Sequence, residues 1–128
     1  MATLPDVVKK AIDKAAAVCV ATVSNDALAN VVYVSYLKYL NDETIVIADN
    51  KFLKTRSNLD SNPNLSFVVL DADTKKSYQV KGTVECLTEG DIYQSVVDWV
   101  HLKKPELTPK AAFYMQVDEV YCGAEKIA

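Results

Sequence analysis

Residues 51–65 read KFLKTRSNLDSNPNL, and this stretch decides how the rest of the sequence is interpreted. It predicts one short helix, capped by Asn50 and stopped by Pro63, because proline cannot continue a helix. Its first turns carry three cations, which are Lys51, Lys54 and Arg56. A helix N-terminus already holds about half a positive charge. The cations are therefore either solvated surface charges or part of a local site for an anion.

The composition predicts one globular domain, residues 1–128. Half of the residues are hydrophobic, which is enough for a core without disulfides. The formal net charge of −3 argues against general binding to nucleic acid or to anionic membranes, since both need an excess of Lys and Arg. Any positive site must therefore be local.

Cysteine and histidine usage indicates a cytoplasmic protein without a metal centre. Cys19, Cys86 and Cys122 are far apart and odd in number, as expected of reduced thiols. His101 is the only histidine, so neither a zinc site nor a Ser–His catalytic pair is favoured. The longest apolar run, AAAVCVA, is far shorter than the roughly 20 residues that cross a membrane.

The remaining sequence predicts strands flanked by helices. Val8, Ile12 and Ala15 recur at helical spacing near the start, and a second full helix is predicted between the last two strands. Six apolar or alternating runs predict strands: VCVATVS, LANVVYVSYL, TIVIAD, LSFVVLD, SYQVKGTVEC and AAFYMQVDEVY. The predicted fold is mainly β, a small six-stranded antiparallel barrel decorated by helices.

The second of these strands is apolar on both faces. Leu28, Val32 and Val34 alternate on one face, whereas Val31 and Tyr33 make the other face apolar too. That second face needs a cover, which could be a helix, a second subunit or a flat ligand. We favour a subunit or a ligand over a helix.

The ordered set of motifs resembles a known family. In order, the motifs are a leading helix, then VATVSNDALANVVYVSYLKYLNDETIVIADNKFLKTRSNLDSNPNLSFVVL, then VKGTVECLTEG and a closing VDEVYCG. This order resembles that of the pyridoxamine 5′-phosphate oxidase-like flavin-binding split barrels. The sequence is most similar to the short, stand-alone FMN-binding proteins of that superfamily. The resemblance implies a split β-barrel and a bound FMN whose phosphate is the anion at the short helix.

The resemblance also implies where FMN binds. It assigns cofactor contacts to Val31, Val32, Tyr33, Ala48, Asp49, Lys54, Thr55, Ser77 and Tyr121. Lys54 and Thr55 would hold the phosphate, and the backbone of residues 31–33 would meet the ring. Asp49 departs from the family's hydroxyl residue, and a carboxylate repels phosphate, so we expect it to turn away or to cap the helix. Lys51 and Arg56 are expected to remain surface residues.

The leading functional hypothesis is a small homodimeric flavoprotein that transfers electrons through FMN, as a reductase or as a carrier with an unknown redox partner. No catalytic side chain stands out. The alternatives are an F420-dependent reductase of the same fold and a cofactor-free structural or regulatory barrel. True oxidases of the family continue into a tail that carries arginine, whereas this sequence stops at Ala128, so oxidase activity is not expected.

Overall fold

The computed structural model describes all 128 residues and contains three helices and eight strands. The helices are α1 (Asp6–Lys14), α2 (Lys54–Ser61) and α3 (Asp91–Lys103). The strands are β1 (Val18–Val23), β2 (Ala29–Val34), β3 (Leu37–Tyr39), β4 (Thr44–Asp49), β5 (Asn64–Leu70), β6 (Ser77–Leu87), β7 (Ala111–Cys122) and β8 (Glu125–Lys126). None of the helices is both long and apolar enough to cross a membrane.

The strands form one curled antiparallel sheet in the order β2-β1-β5-β6-β7-β4-β3, with the short β8 paired to β7. The strands at the two ends of this order, β2 and β3, follow each other in the sequence, so residues 35–36 connect the two edges of the open barrel. The predicted fold class is thereby confirmed, with eight strands in place of six.

One predicted strand is two strands in the structure. The run LANVVYVSYL bends at Ser35, so that β2 pairs with β1 and β3 pairs with β4. A straight strand could not hydrogen-bond to neighbours at opposite ends of the sheet, which is why the run breaks. The Ala48 N–H donates to the Tyr36 carbonyl at 3.0 Å and extends the β3 side of this bend.

Two apolar layers hold the fold together. The barrel interior is filled by large buried side chains such as Phe67 and Phe113, and α1 adds Val8 and Ile12 to this core. On the outside, α3 covers β4 and β7 through a smaller cluster that contains Val46, Ala48, Val96, Val100 and Ala112. Because α3 lies on that half of the barrel, the outer face of β2, β1 and β5 has no helix over it.

We call this uncovered surface the open sheet face and define it by Val31, Tyr33, Val68 and Leu70. These side chains are exposed, with Val31 at 60% and Tyr33 at 79%. Tyr33 pairs with Cys19 in β1, and Cys19 pairs with Val68 in β5, so the apolar side chains are lateral neighbours on one face. The predicted second apolar face of β2 is therefore real, and no helix of this chain covers it.

Gly82 allows β6 to curve where it pairs with β7. The register with β7 shifts between Lys81 and Gly82, which marks a bulge. A Cβ at Gly82 would lie 2.1 Å from the carbonyl oxygen of Gln116, closer than any side-chain carbon can approach. Only glycine fits at this crossing.

Candidate functional site

A cavity of about 570 Å³ lies where the bend after β2, the end of β4 and the loop before α2 meet. The connection from α3 to β7 also lines it, through Lys104 and Leu107. This volume falls within the range of small-molecule sites, roughly 300–1,000 Å³.

The cavity brings together many of the positions to which the resemblance assigns cofactor contacts. Its lining includes Val32, Tyr33, Ala48, Lys54 and Thr55. These residues come from β2, β4 and α2, and only the fold makes them neighbours. The lining does not include Val31, Asp49, Ser77 or Tyr121.

The charges around the cavity are positive. Three lysines line it, Lys51, Lys54 and Lys104, and no aspartate or glutamate does. Since the chain as a whole carries a formal net charge of −3, this is the kind of local positive site that an anionic ligand needs. Lys51, expected to be a surface residue, is exposed but belongs to the cavity wall.

The N-terminus of α2 adds unpaired donors to this charge. The helix begins at Lys54 after Leu53, and no side chain caps it, so the expected cap by Asn50 is absent. The backbone N–H groups of Lys54, Thr55 and Arg56 have no acceptor within the chain. Free N–H groups and the helix dipole together favour a bound anion, above all a phosphate.

Thr55 is held in place by β2 and keeps its own proton available. Its side chain is buried, at 3% exposure, and its Oγ1 accepts a hydrogen bond from Asn30 Nδ2 at 3.2 Å. A hydroxyl that accepts in this way can still donate its hydrogen to a ligand. A second bond of the same kind, Asn58 Nδ2 to Thr22 Oγ1 at 3.0 Å, fixes α2 against β1.

Asp49 turns away from the cavity, one of the two arrangements expected from the sequence. The residue is fully buried and accepts the Phe52 N–H at 2.9 Å and Arg56 Nη1 at 3.0 Å. Lys110 Nζ lies 4.0 Å from the same carboxylate. The hydrogen bond to Asp49 raises the pKa of Arg56 above its usual value. Arg56 is therefore not a free surface charge, and its pairing removes the repulsion that Asp49 would exert on an anion.

Asn50 carries an orphaned polar atom at the cavity. The residue lines the cavity, and its Oδ1 is shielded from solvent without any hydrogen-bond partner. A buried acceptor without a donor costs about 1–3 kcal/mol. A ligand N–H or O–H group would remove that cost once the amide turned toward the cavity, and with this rotation the residues present fit a hydroxyl-bearing, phosphorylated cofactor.

Ser77 and Tyr121 lie far from the cavity of their own chain. One row of paired residues crosses the sheet from β2 to β7. It runs through Tyr33 in β2, Cys19 in β1, Val68 in β5, Gln79 in β6 and Tyr121 in β7. Strands are about 4.8 Å apart, so Tyr121 is roughly 19 Å from Tyr33 along the sheet. Ser77 lies opposite Leu70 in the same way. Both residues therefore border the open sheet face.

The structure offers no alternative centre of the zinc or disulfide type. It brings together no group of three or more His, Cys, Asp or Glu residues that could hold a metal ion. All three cysteines are unpaired.

The structure thus defines a split-barrel protein with a cavity that three lysines and no carboxylate line. Residues 4–122 match the family model described as pyridoxamine 5′-phosphate oxidase. The chain belongs to this family. An uncharacterized protein of Methanocaldococcus jannaschii is 33% identical over 106 residues, which are 81% of this chain and 70% of that protein.

Solved structures share the fold at lower identity. HupZ of Group A Streptococcus is 23% identical with a TM-score of 0.87, and 98% of each chain is covered. An FMN-binding protein of Syntrophomonas wolfei is 20% identical with a TM-score of 0.80, covering 89% of this chain and 82% of that one. An F420 reductase is also 20% identical, with a TM-score of 0.68 and coverage of 88% and 94%.

Several cavity residues carried little or no sequence signal. The sequence predicts Asn50 to be a helix cap, and nothing in it separates Lys51 from an ordinary surface charge. Lys104 follows α3, about fifty residues after the short helix, and nothing local connects the two. Asn30 does not line the cavity but holds Thr55, and its only signal is that it is a polar residue among the apolar residues of β2.

Proposed function

We propose that the protein binds FMN in this cavity and uses it to accept and donate electrons, as a carrier or as a reductase. The observation that carries the proposal is electrostatic. Three lysines and the free N–H groups of α2 surround one cavity that no carboxylate lines. An FMN-binding protein of the same fold supports it.

Each cavity wall has its own role in this proposal. Lys54, the Thr55 hydroxyl and the first N–H groups of α2 hold the phosphate through charge-assisted hydrogen bonds. The backbone of Val32 and Tyr33 and the side chain of Ala48 lie beside the ring. Bound FMN supplies electron and hydride transfer, while the protein sets access and potential.

We further propose that the protein is a homodimer formed through the open sheet face. A second copy would cover Val31, Tyr33 and the apolar residues of β5, whose exposure is unusual for a monomer. Isologous pairing would also bring Ser77 and Tyr121 of one chain toward the cavity of the other. This arrangement accounts for ring contacts that one chain cannot make alone.

F420 in place of FMN is the second candidate. An F420 reductase has the same fold, and three lysines are more than one phosphate requires. A cofactor-free barrel is the remaining alternative, in which the lysines are solvated surface charges.

One experiment separates these three candidates. The protein is purified from its native source or a host that makes both cofactors, and the released small molecules are identified by mass spectrometry with an absorption spectrum. FMN supports the proposal, F420 replaces it with the second candidate, and failure of the apoprotein to bind either in a titration leaves the cofactor-free barrel.

Oxidation of pyridoxamine 5′-phosphate lies outside the proposal. A fixed arginine orients a phosphate-bearing amine better than a lysine does. The only arginine in the sequence, Arg56, is held by Asp49 and Asp60. The FMN-loaded protein should therefore not form pyridoxal 5′-phosphate and hydrogen peroxide over many turnovers, and a coupled peroxide assay measures this.

A further inference from the structure

We infer that Asn50 binds the hydroxyl-bearing chain that joins the ring of the cofactor to its phosphate, and that it selects ligands that have such a chain. The inference rests on the proposed function and adds a residue to it. Asn50 is the first residue after β4, between Ala48, which lines the cavity beside the ring wall, and Lys51, which lines its phosphate end.

The unpaired oxygen of Asn50 is the observation that carries this assignment. Only two buried side-chain polar atoms lack a partner, Thr44 Oγ1 at the start of β4 and Asn50 Oδ1 just after its end. Of these two residues, Asn50 lines the cavity. Native proteins leave few buried polar groups unpaired, so an exception at a ligand cavity points to a ligand donor.

The chemistry of the donor follows from the position of the residue. The lysines and free N–H groups at α2 match a phosphate, and the apolar wall of β2 matches a ring. Between them, an amide oxygen matches a hydroxyl. The Asn side chain rotates easily about χ2, so its oxygen can turn into the cavity when a hydroxyl is present there.

Replacement of Asn50 by leucine tests the assignment because its two effects have opposite signs. Asn50→Leu keeps a similar shape but removes the unpaired acceptor, so the apoprotein should melt at the same or a higher temperature than the wild type. FMN and riboflavin should both bind about three- to tenfold more weakly, since both carry the hydroxyl chain. Lumiflavin, which has a methyl group in its place, should bind unchanged.

Two further variants provide a control and a second test of the acceptor role. Asn25→Leu, in the exposed turn between β1 and β2, is the control and should change no affinity. Asn50→Asp keeps an acceptor and adds a negative charge near the phosphate end. It should lose FMN because the carboxylate repels the phosphate but should retain riboflavin, whereas a riboflavin loss as large as that of Asn50→Leu would contradict the role of residue 50 as an acceptor.

The outcomes separate this inference from the function on which it rests. If wild-type protein binds FMN while Asn50→Leu leaves riboflavin unchanged, or weakens lumiflavin as much as riboflavin, the role of Asn50 is refuted and FMN binding stands. If wild-type apoprotein binds none of the three flavins, the proposed function and the inference both fail.

Discussion

Replacing Lys54 with alanine should weaken FMN binding about tenfold and leave riboflavin binding nearly unchanged. Riboflavin has no phosphate, so it loses nothing when the cation at the start of α2 is removed. A hydrogen bond to a charged group contributes about 1.5–3 kcal/mol. Lys54 is exposed before the ligand arrives, so solvent screening places it near the lower end, and about 1.5 kcal/mol corresponds to roughly tenfold.

The remaining donors explain why binding should be weakened but not abolished. Lys51 lines the same cavity, and the backbone N–H groups of α2 are unaffected by the substitution. The phosphate contribution should also shrink as salt is raised, because salt screens the attraction between the phosphate and lysines that are exposed to solvent. Titration of the apoprotein followed by flavin fluorescence, at low and high salt, measures both effects.

Lys103 provides the matched control for this experiment. Lys103→Ala changes the net charge by the same amount, but Lys103 lies in the last turn of α3 and does not line the cavity. Lys51 is unsuitable for this purpose because it belongs to the cavity wall. Equal losses of FMN and riboflavin in Lys54→Ala, or an FMN loss of the same size in Lys103→Ala, would refute the phosphate assignment.

Three other perturbations test the dimer, the hydroxyl at α2 and the bulge in β6. Tyr33→Lys should convert a dimer to monomers in sedimentation without unfolding the chain, while Leu102→Lys, at an equally exposed apolar residue on α3, should leave the dimer intact. Thr55→Val should lower the free energy of unfolding by about 1–3 kcal/mol in chemical denaturation, because an asparagine amide loses its acceptor, and should weaken FMN more than riboflavin. Gly82→Ala should destabilise the fold more than Tyr33→Lys or Thr55→Val and should give little folded protein, because the added methyl group would overlap a carbonyl oxygen of β7.

The fold was largely predictable because most elements are set by local patterns. Alternating or continuous apolar runs correspond to β1, β4, β5, β6 and β7, and Gly82 marks the bulge. The break between β2 and β3 was missed for a physical reason. An apolar run predicts a strand, but it does not show that the two halves of the run pair with different neighbours.

The candidate site was predictable only where it is local. Lys54 and Thr55 are adjacent in the sequence at the start of one helix, and both line the cavity. Lys104 reaches the same cavity from another element, and its role depends on the way α3 packs on β4. The distance of Ser77 and Tyr121 from the cavity likewise follows from strand order, which no short motif encodes.

The charges around α2 show how folding separates carboxylates from lysines that lie near them in the sequence. Residues 49–60 contain three cations and two carboxylates, so their net charge is only +1. The cations are Lys51, Lys54 and Arg56, and the carboxylates are Asp49 and Asp60. In the structure, Arg56 bonds to both aspartates, at 3.0 and 3.2 Å, and none of these three residues lines the cavity. The two lysines are left facing the cavity without an acidic partner. The local positive field therefore depends on the pairing of both aspartates with Arg56, which leaves lysines as the only charged residues at the cavity, and this explains how an acidic protein can hold a site suited to a phosphate.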